Sequence, residues 1–411
     1  MTTTPKQEPI PAELVSEGWP WPTPWIAYPP SIMTEAEPVA LSSSEPSVLL
    51  HGLYERDGQS LWLDQLRRAD IVTGGLGRWV ATGIRGVTAN PAVLAEALQA
   101  STEYDEQLDW LFSAGCSVDE AYRELAATDV LAACALLRGV HEASQGADGF
   151  VSIEVAPTLA RSPAGAMAAA RRLRQRIDRP NLLVAIPANQ AGIPAIQANV
   201  SAGRSIEASS IFSIDRYTAV IDAYLSGLEM FAARGGDLSL VHGVASFSLS
   251  PVDAEVDRRL EELDSRHVGG LRGLAAVAQA KLTYRLFEER FSTQRWARLA
   301  HHGAHPQRLL WSTGGDGLEG GPVSTYVEDL ILPSTVHTLP QASVAAIAEN
   351  GLGSPARGID ARGAAAVLSE LAAIGIDLDE VGDLLEGHAA ALAQSSLDDV
   401  LERLRLRWAL R

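Results

Sequence analysis

Two short apolar runs stand a helix's length apart near the middle of the chain. One is Gly149-Phe150-Val151-Ser152-Ile153-Glu154-Val155; the other is Arg179-Pro180-Asn181-Leu182-Leu183-Val184-Ala185-Ile186-Pro187-Ala188. Each has strand length, is entered from polar residues, and is left through a proline or a small residue. Neither shows the polar alternation of a strand with one wet face, so both read as strands covered on both sides. The segment between them, residues 157–178, is rich in Ala and Arg and reads as a helix. Strand, helix, strand in this order is a βαβ unit.

From Ser60 onward the same alternation repeats. Strands are expected at Leu61–Asp64, Ile84–Thr88, from Gly149, up to about Ile186, at Ser205–Ser209, His242–Phe247, Leu309–Trp311 and Val336–Leu339. Asn90-Pro91 starts a helix, residues 102–141 are helical, and residues 360–410 form an amphipathic helical tail with Leu368, Leu371, Ile374 and Leu378 on its apolar side. Eight strands with helices between them predict an α/β fold, a single (β/α)8 TIM barrel over residues 59–411, with its chemistry at the C-terminal strand ends. Residues 1–58 read as a separate, irregular Trp/Pro-rich extension. Its Trp19, Trp21 and Trp25 are expected to bury their rings along the barrel or against a second subunit, which leaves room for a homodimer.

A net charge of −18 argues against nucleic acid or an anionic membrane as partner, since both reward clustered Lys and Arg. With no apolar run of membrane length and no secretory pattern at the start, the expectation is a cytoplasmic protein acting on a small molecule. Cys116 and Cys134 lack metal-ligand or redox spacing and read as buried free thiols. His301, His302 and His305 fall in a loop before the seventh strand, away from the barrel mouth, so no metal site and no cofactor are expected.

The segments Leu61-Trp62-Leu63-Asp64-Gln65-Leu66, Gly86-Val87-Thr88-Ala89-Asn90-Pro91, Asp148 to Val155, Asp178 to Leu182, Ile211-Phe212-Ser213 and Val244-Ala245-Ser246-Phe247 resemble, in order, those of the transaldolase family in its actinobacterial form. The resemblance runs from about Ser60 to the C-terminus and implies a transaldolase-type barrel. It further implies that Asp64 handles protons, that Glu154 relays a proton through water, that Thr88 and Asn90 hold a dihydroxyacetone unit, that Ser246 lines the site, and that Ser209 stands where a threonine positions water.

Departures from the family pattern are as informative. The Schiff-base lysine of the motif Ile-Lys-Ile-Pro-Ala is replaced by Ala185, and the only lysines in the chain are Lys6 and Lys281. The phosphate-binding arginine of Ser-Phe-x-x-Ser-Arg is replaced by Pro251, and Asp316 follows the seventh strand where a cation is usual. Glu207 and His337 stand where the family has asparagine. The mouth is thus expected to be acidic, with Asp64, Glu154, Glu207 and His337 as catalytic groups, and Thr88, Asn90, Ser209, Ser246 and Asp316 around the substrate.

The function expected from this set is acid/base-driven C–C or C–N chemistry of a lyase or transferase type: a cyclisation, condensation or aldol-type step on a non-phosphorylated, amine-bearing metabolite of specialised metabolism. A non-catalytic scaffold and a transaldolase of the pentose phosphate pathway are the rivals, the latter disfavoured by Ala185.

Overall fold

The computed structural model describes residues 45–263, 270–313, 324–352 and 358–409. Eight strands, β1 (Ser60–Leu63), β2 (Ile84–Ala89), β3 (Phe150–Glu154), β4 (Leu182–Pro187), β5 (Ile206–Ile211), β6 (Gly243–Ser248), β7 (Arg308–Ser312) and β8 (Thr335–Leu339), each pair in parallel with the next. β8 returns to β1 and closes the barrel. The expected single (β/α)8 barrel is the fold, and each strand lies within a residue or two of its expected place.

Side chains alternate between the barrel interior and the surrounding helices. Trp62, Phe150, Leu183, Val244, Leu310 and Val336, from six different strands, form an apolar plug inside the barrel. β2 contributes Gly86 at this level because nothing larger fits: a Cβ there would lie 2.5 Å from the Trp62 indole. The outward-facing set, including Leu61, Ile84, Val151, Ile206, Trp311 and Leu339, joins the helices in the main core.

Below the plug, a fully buried Asp148 ties the N-terminal strand ends together. It accepts hydrogen bonds from Arg85 Nε (2.8 Å), Trp62 Nε1 (3.0 Å) and the Ser60 hydroxyl, and Arg308 lies 3.6 Å away. Asp148→Ala would leave two guanidiniums and an indole N–H without their anion. Breaking a buried pair in this way costs about 3–5 kcal/mol, so urea unfolding should show a loss of that order in the variant. The next residue, Gly149, has φ +77, and a Cβ on it would meet the His141 backbone nitrogen at 2.4 Å.

Two expectations need correction. The extension read as irregular through residue 58 is helical over Glu45–Glu55, and Leu50 and Leu53 of that helix are buried in the barrel's own core. Part of the expected extension therefore belongs to the folded barrel, because those leucines need the barrel surface to cover them. Trp19, Trp21 and Trp25 lie outside the described residues. The tail is two helices, Ala361–Ala373 and Leu378–Ala409, separated at Gly375, whose φ of +89 ends the first.

The second of these helices crosses the C-terminal rim of the barrel. At one end Gly382 allows close approach to Ser213 after β5, and Glu386 receives a two-point hydrogen bond from Arg216 at 2.5 and 3.1 Å. Farther on, Leu397, Val400, Leu401 and Leu404 pack with Leu94, Leu98, Tyr104 and Leu108 beside the β2 end. Among the described residues no helix is long and apolar enough to cross a membrane. Cys116 and Cys134 are free and buried.

Candidate active site

Above the plug the barrel interior changes from apolar to polar, and a cavity of about 200 Å³ lies at the C-terminal strand ends. Asp64, Thr88, Asn90, Glu154, Glu207, Ser209 and Ser246, seven of the nine residues expected at the site, line it together. Asp316 lies outside the described residues. His337 is placed elsewhere.

Each group is positioned by its strand. Asp64 directly follows β1 and its N–H bonds to Leu339 O at 3.1 Å. Asn90 directly follows β2 and caps the helix Pro91–Ala100, its side-chain oxygen accepting from Val93 N at 3.1 Å, so its amide nitrogen is the group it has to offer. Ala185 also lines the mouth. In register it stands between Glu154 on β3 and Glu207 on β5. A methyl group thus occupies the wall between two carboxyls, at the position where the family resemblance places an amine. Lys281 lies in the outer helix Ala275–Arg290.

The electrostatics follow from burial and crowding. Burial raises Asp64 to about 6, against its own backbone hydrogen bond and the Arg67 charge. Glu154 is raised to about 7, by burial first and then by the charge of Glu207. Glu207 is only 5% exposed, and burial raises it as well, while the hydroxyls of Ser152 and Ser246 pull it partly back. Ser152 Oγ acts on that charge without closing a well-shaped hydrogen bond of its own. Near neutral pH the mouth therefore holds carboxyl groups in both protonation states. Among the described lining residues there is no Lys, Arg or His.

Seven lining residues were missed by sequence reasoning: Gln65, Ala89, Ser152, Ser210, Ser248, Ser312 and Thr338. Most were accessible from the strand period of two, since Ser152 precedes Glu154 by two residues and Ser248 follows Ser246 by two. Ser210 was not. It has φ +57, rare for a non-glycine residue, at the point where the β5–β6 register shifts between Ala208 and Ile211. This bulge brings both Ser209 and Ser210 to the mouth. Asp64 Oδ1 and Thr338 Oγ1 are buried without a partner among the described residues, and are available to a polar ligand.

The expectation for His337 is corrected by the same period. Val336 belongs to the inner plug and Thr338 lines the mouth, whereas the register partners of His337, Leu61 and Trp311, belong to the outer core. His337 points outward, is fully buried, and finds no partner among the described residues for either ring nitrogen. Burial lowers its pKa to about 3. Below an unfolded-state pKa of about 6.5 the unfolded chain takes a proton that the folded chain refuses. This part of the stability is present above that pH and is lost as pH falls toward 3. His337→Leu should remove that acid sensitivity and leave activity unchanged. Melting curves at pH 5 and pH 7.5 measure the first and a turnover assay the second; a collapse in turnover with intact folding would restore the catalytic assignment.

A closed parallel barrel with a carboxyl- and hydroxyl-lined well at its C-terminal strand ends defines an α/β-barrel protein shaped for a small polar molecule. Residues 61–404 match the family model described as Transaldolase/Fructose-6-phosphate aldolase, and the chain belongs to that family. Similar proteins include the transaldolases of Parafrankia sp. (strain EAN1pec), 42% identical over 85% of this chain and 95% of the relative, and of Thermobifida fusca (strain YX), 42% identical over 84% and 95%. The transaldolase of Mycolicibacterium smegmatis is 42% identical over 84% of this chain and 94% of its own length. The resemblance in the sequence is thereby established at the level of the family.

Proposed function

We propose that this barrel catalyses an aldol-type step, breaking or forming a C–C bond beside a carbonyl by proton transfer through Asp64 and Glu154, with Glu207 beside them, on a polyhydroxylated small molecule. The observation that carries the reading is Ala185 in register between Glu154 and Glu207: the groups available there exchange protons and cannot form an imine with the substrate.

In the cleavage direction, ionised Asp64 takes the proton of the β-hydroxyl and the C–C bond breaks toward the carbonyl. The oxygen of that carbonyl receives a proton from Glu154, giving an enol. Tautomerisation then returns both protons, the one on Asp64 to carbon and the one on the enol oxygen to Glu154. The charge of Glu207 raises Glu154 and so keeps that carboxyl protonated as the proton donor until the enol forms. Thr88, Asn90, Ser209 and Ser246 orient hydroxyls of the substrate.

A second reading is favoured by a specific observation, the names and 42% identity of the relatives. They weigh toward a transaldolase of the pentose phosphate pathway and against a place in specialised metabolism. Both readings share aldol chemistry and differ in how the enolate is stabilised. Borohydride reduction in the presence of fructose 6-phosphate, followed by intact-mass spectrometry, separates them: the proton-transfer reading requires an unmodified chain, and a covalent sugar adduct on Lys281 or Lys6 would overturn it. A cytoplasmic location and a homodimer remain parts of the proposed picture.

A further inference from the structure

Behind the mouth, between the helices Val118–Ala143 and Pro163–Ile177, lies a second cavity of about 60 Å³. This is room for about four or five waters, or a short carbon chain. Glu154 lines this cavity as well as the mouth, so the two adjoin at a residue placed in the reaction.

The chamber differs in character from the well it adjoins. Its walls are largely apolar, with Ile153, Leu159, Ala169 and Leu173 among them, yet three arginines, Arg123, Arg172 and Arg176, also line it. Their charges are unequally matched. Arg176 is committed to Glu124 at 2.6 Å, and the Glu120 carboxylate is held in the helix cap by Ser117. Arg172 forms no hydrogen bond or ion pair with the described residues. It lies close enough to Arg123 for the two charges to repel, and Arg123 is pulled below its ordinary pKa by burial and then further by Arg172, against Asp119 and Glu120. Arg123 keeps acidic neighbours in Asp119 and Glu120, so Arg172 is the guanidinium left to meet an anion, which it can do with two parallel hydrogen bonds.

We propose that this chamber is a subsite for the carboxylate-bearing aliphatic arm of the substrate, with Arg172 as its main anchor and Arg123 beside it. The proposal rests on the reading that the substrate reacts in the adjoining mouth. It moves anion recognition from the β6–β7 side of the barrel, where Pro251 stands, to the β3 side, and it assigns specificity for a short acid rather than a phosphate or a neutral polyol.

The test uses 4,4,4-trifluorobutanoate as probe and 4,4,4-trifluorobutan-1-ol as its uncharged control, titrated into the full-length chain and followed by fluorine NMR. Saturable binding of the acid, at least tenfold weaker binding of the alcohol, and at least tenfold weakening of the acid by Arg172→Gln are expected. Ala169→Leu, which fills the chamber and keeps its charge, should abolish acid binding. Equal binding of acid and alcohol, unchanged acid binding in Arg172→Gln or Ala169→Leu, or no saturation in the wild type would overturn the subsite. Should acid binding behave as expected while Glu154→Gln keeps full turnover, the chamber stands and the reading of the mouth falls. Loss of turnover in Glu154→Gln with acid binding indifferent to Arg172 means the reverse.

Discussion

Glu154→Gln is expected to slow enolisation by about 10²–10⁴-fold, the usual contribution of a positioned general acid or base, while making the protein more stable at pH 8. Exchange of the α-hydrogens of dihydroxyacetone in D2O, followed by proton NMR, measures the first effect without knowledge of the natural substrate. The second follows from linkage. The Glu154 carboxyl has an ordinary pKa of 4.5 and is raised to about 7 in the fold. Between those values the folded chain holds a proton that the unfolded chain has released, so stability falls as pH rises and the loss is complete above about 7. At about 1.4 kcal/mol per pKa unit the penalty in the wild type at pH 8 is on the order of 3 kcal/mol, and the amide does not incur it. The melting temperatures of variant and wild type should therefore converge near pH 4.5 and separate at pH 8. The wild-type rate should rise with Asp64 ionisation near pH 6 and fall with Glu154 near pH 7, as a coupled pair, and the variant should lose the alkaline limb. An unchanged exchange rate in a folded Glu154→Gln protein would reject the proton-transfer mechanism.

Ala185→Lys should give the largest qualitative change: a protein that borohydride fixes to dihydroxyacetone at residue 185, where the wild type stays unlabelled. The side chain would enter a cavity of about 200 Å³ flanked in register by Glu154 and Glu207. Ionised carboxylates on both sides hold an ammonium protonated, and only the free amine attacks a carbonyl. Labelling should accordingly be weak at neutral pH and grow as pH rises, and Glu207→Asn added to Ala185→Lys should shift that growth to lower pH. Peptide mapping after reduction locates the adduct. Failure to label a folded Ala185→Lys at any pH would show that the β4 wall does not face the substrate carbonyl.

The barrel was legible because its strands are apolar runs of uniform length separated by helix-length segments, a pattern in which each repeat supports the next. The site was legible as far as it resides on single strands. Asp64, Thr88, Glu154 and Ser246 each stand close to the C-terminal end of a strand, and the structure gathers them in one cavity. His337 was misjudged because likeness to a family position was followed where strand parity, with Val336 inward and Leu339 outward, assigns it to the other face. Ser210 escaped because a bulge breaks parity, and a bulge leaves no mark in a Ser-Ser pair. The chamber beside β3 escaped for a different reason: Arg123 and Arg172 are far apart in the chain, and each alone resembles any arginine on a polar helix face. The helix Glu45–Glu55 was hidden by the Ser/Glu/Pro composition of the residues before it.

The plug formed by Trp62, Phe150, Leu183, Val244, Leu310 and Val336 has a kinetic corollary. It closes the catalytic space from below, so reactants and products share the approach at the C-terminal strand ends. If the reaction joins two partners, whatever is released first must clear that approach before a successor arrives. Rates should then show alternating occupancy, with an excess of either reactant choking the other out.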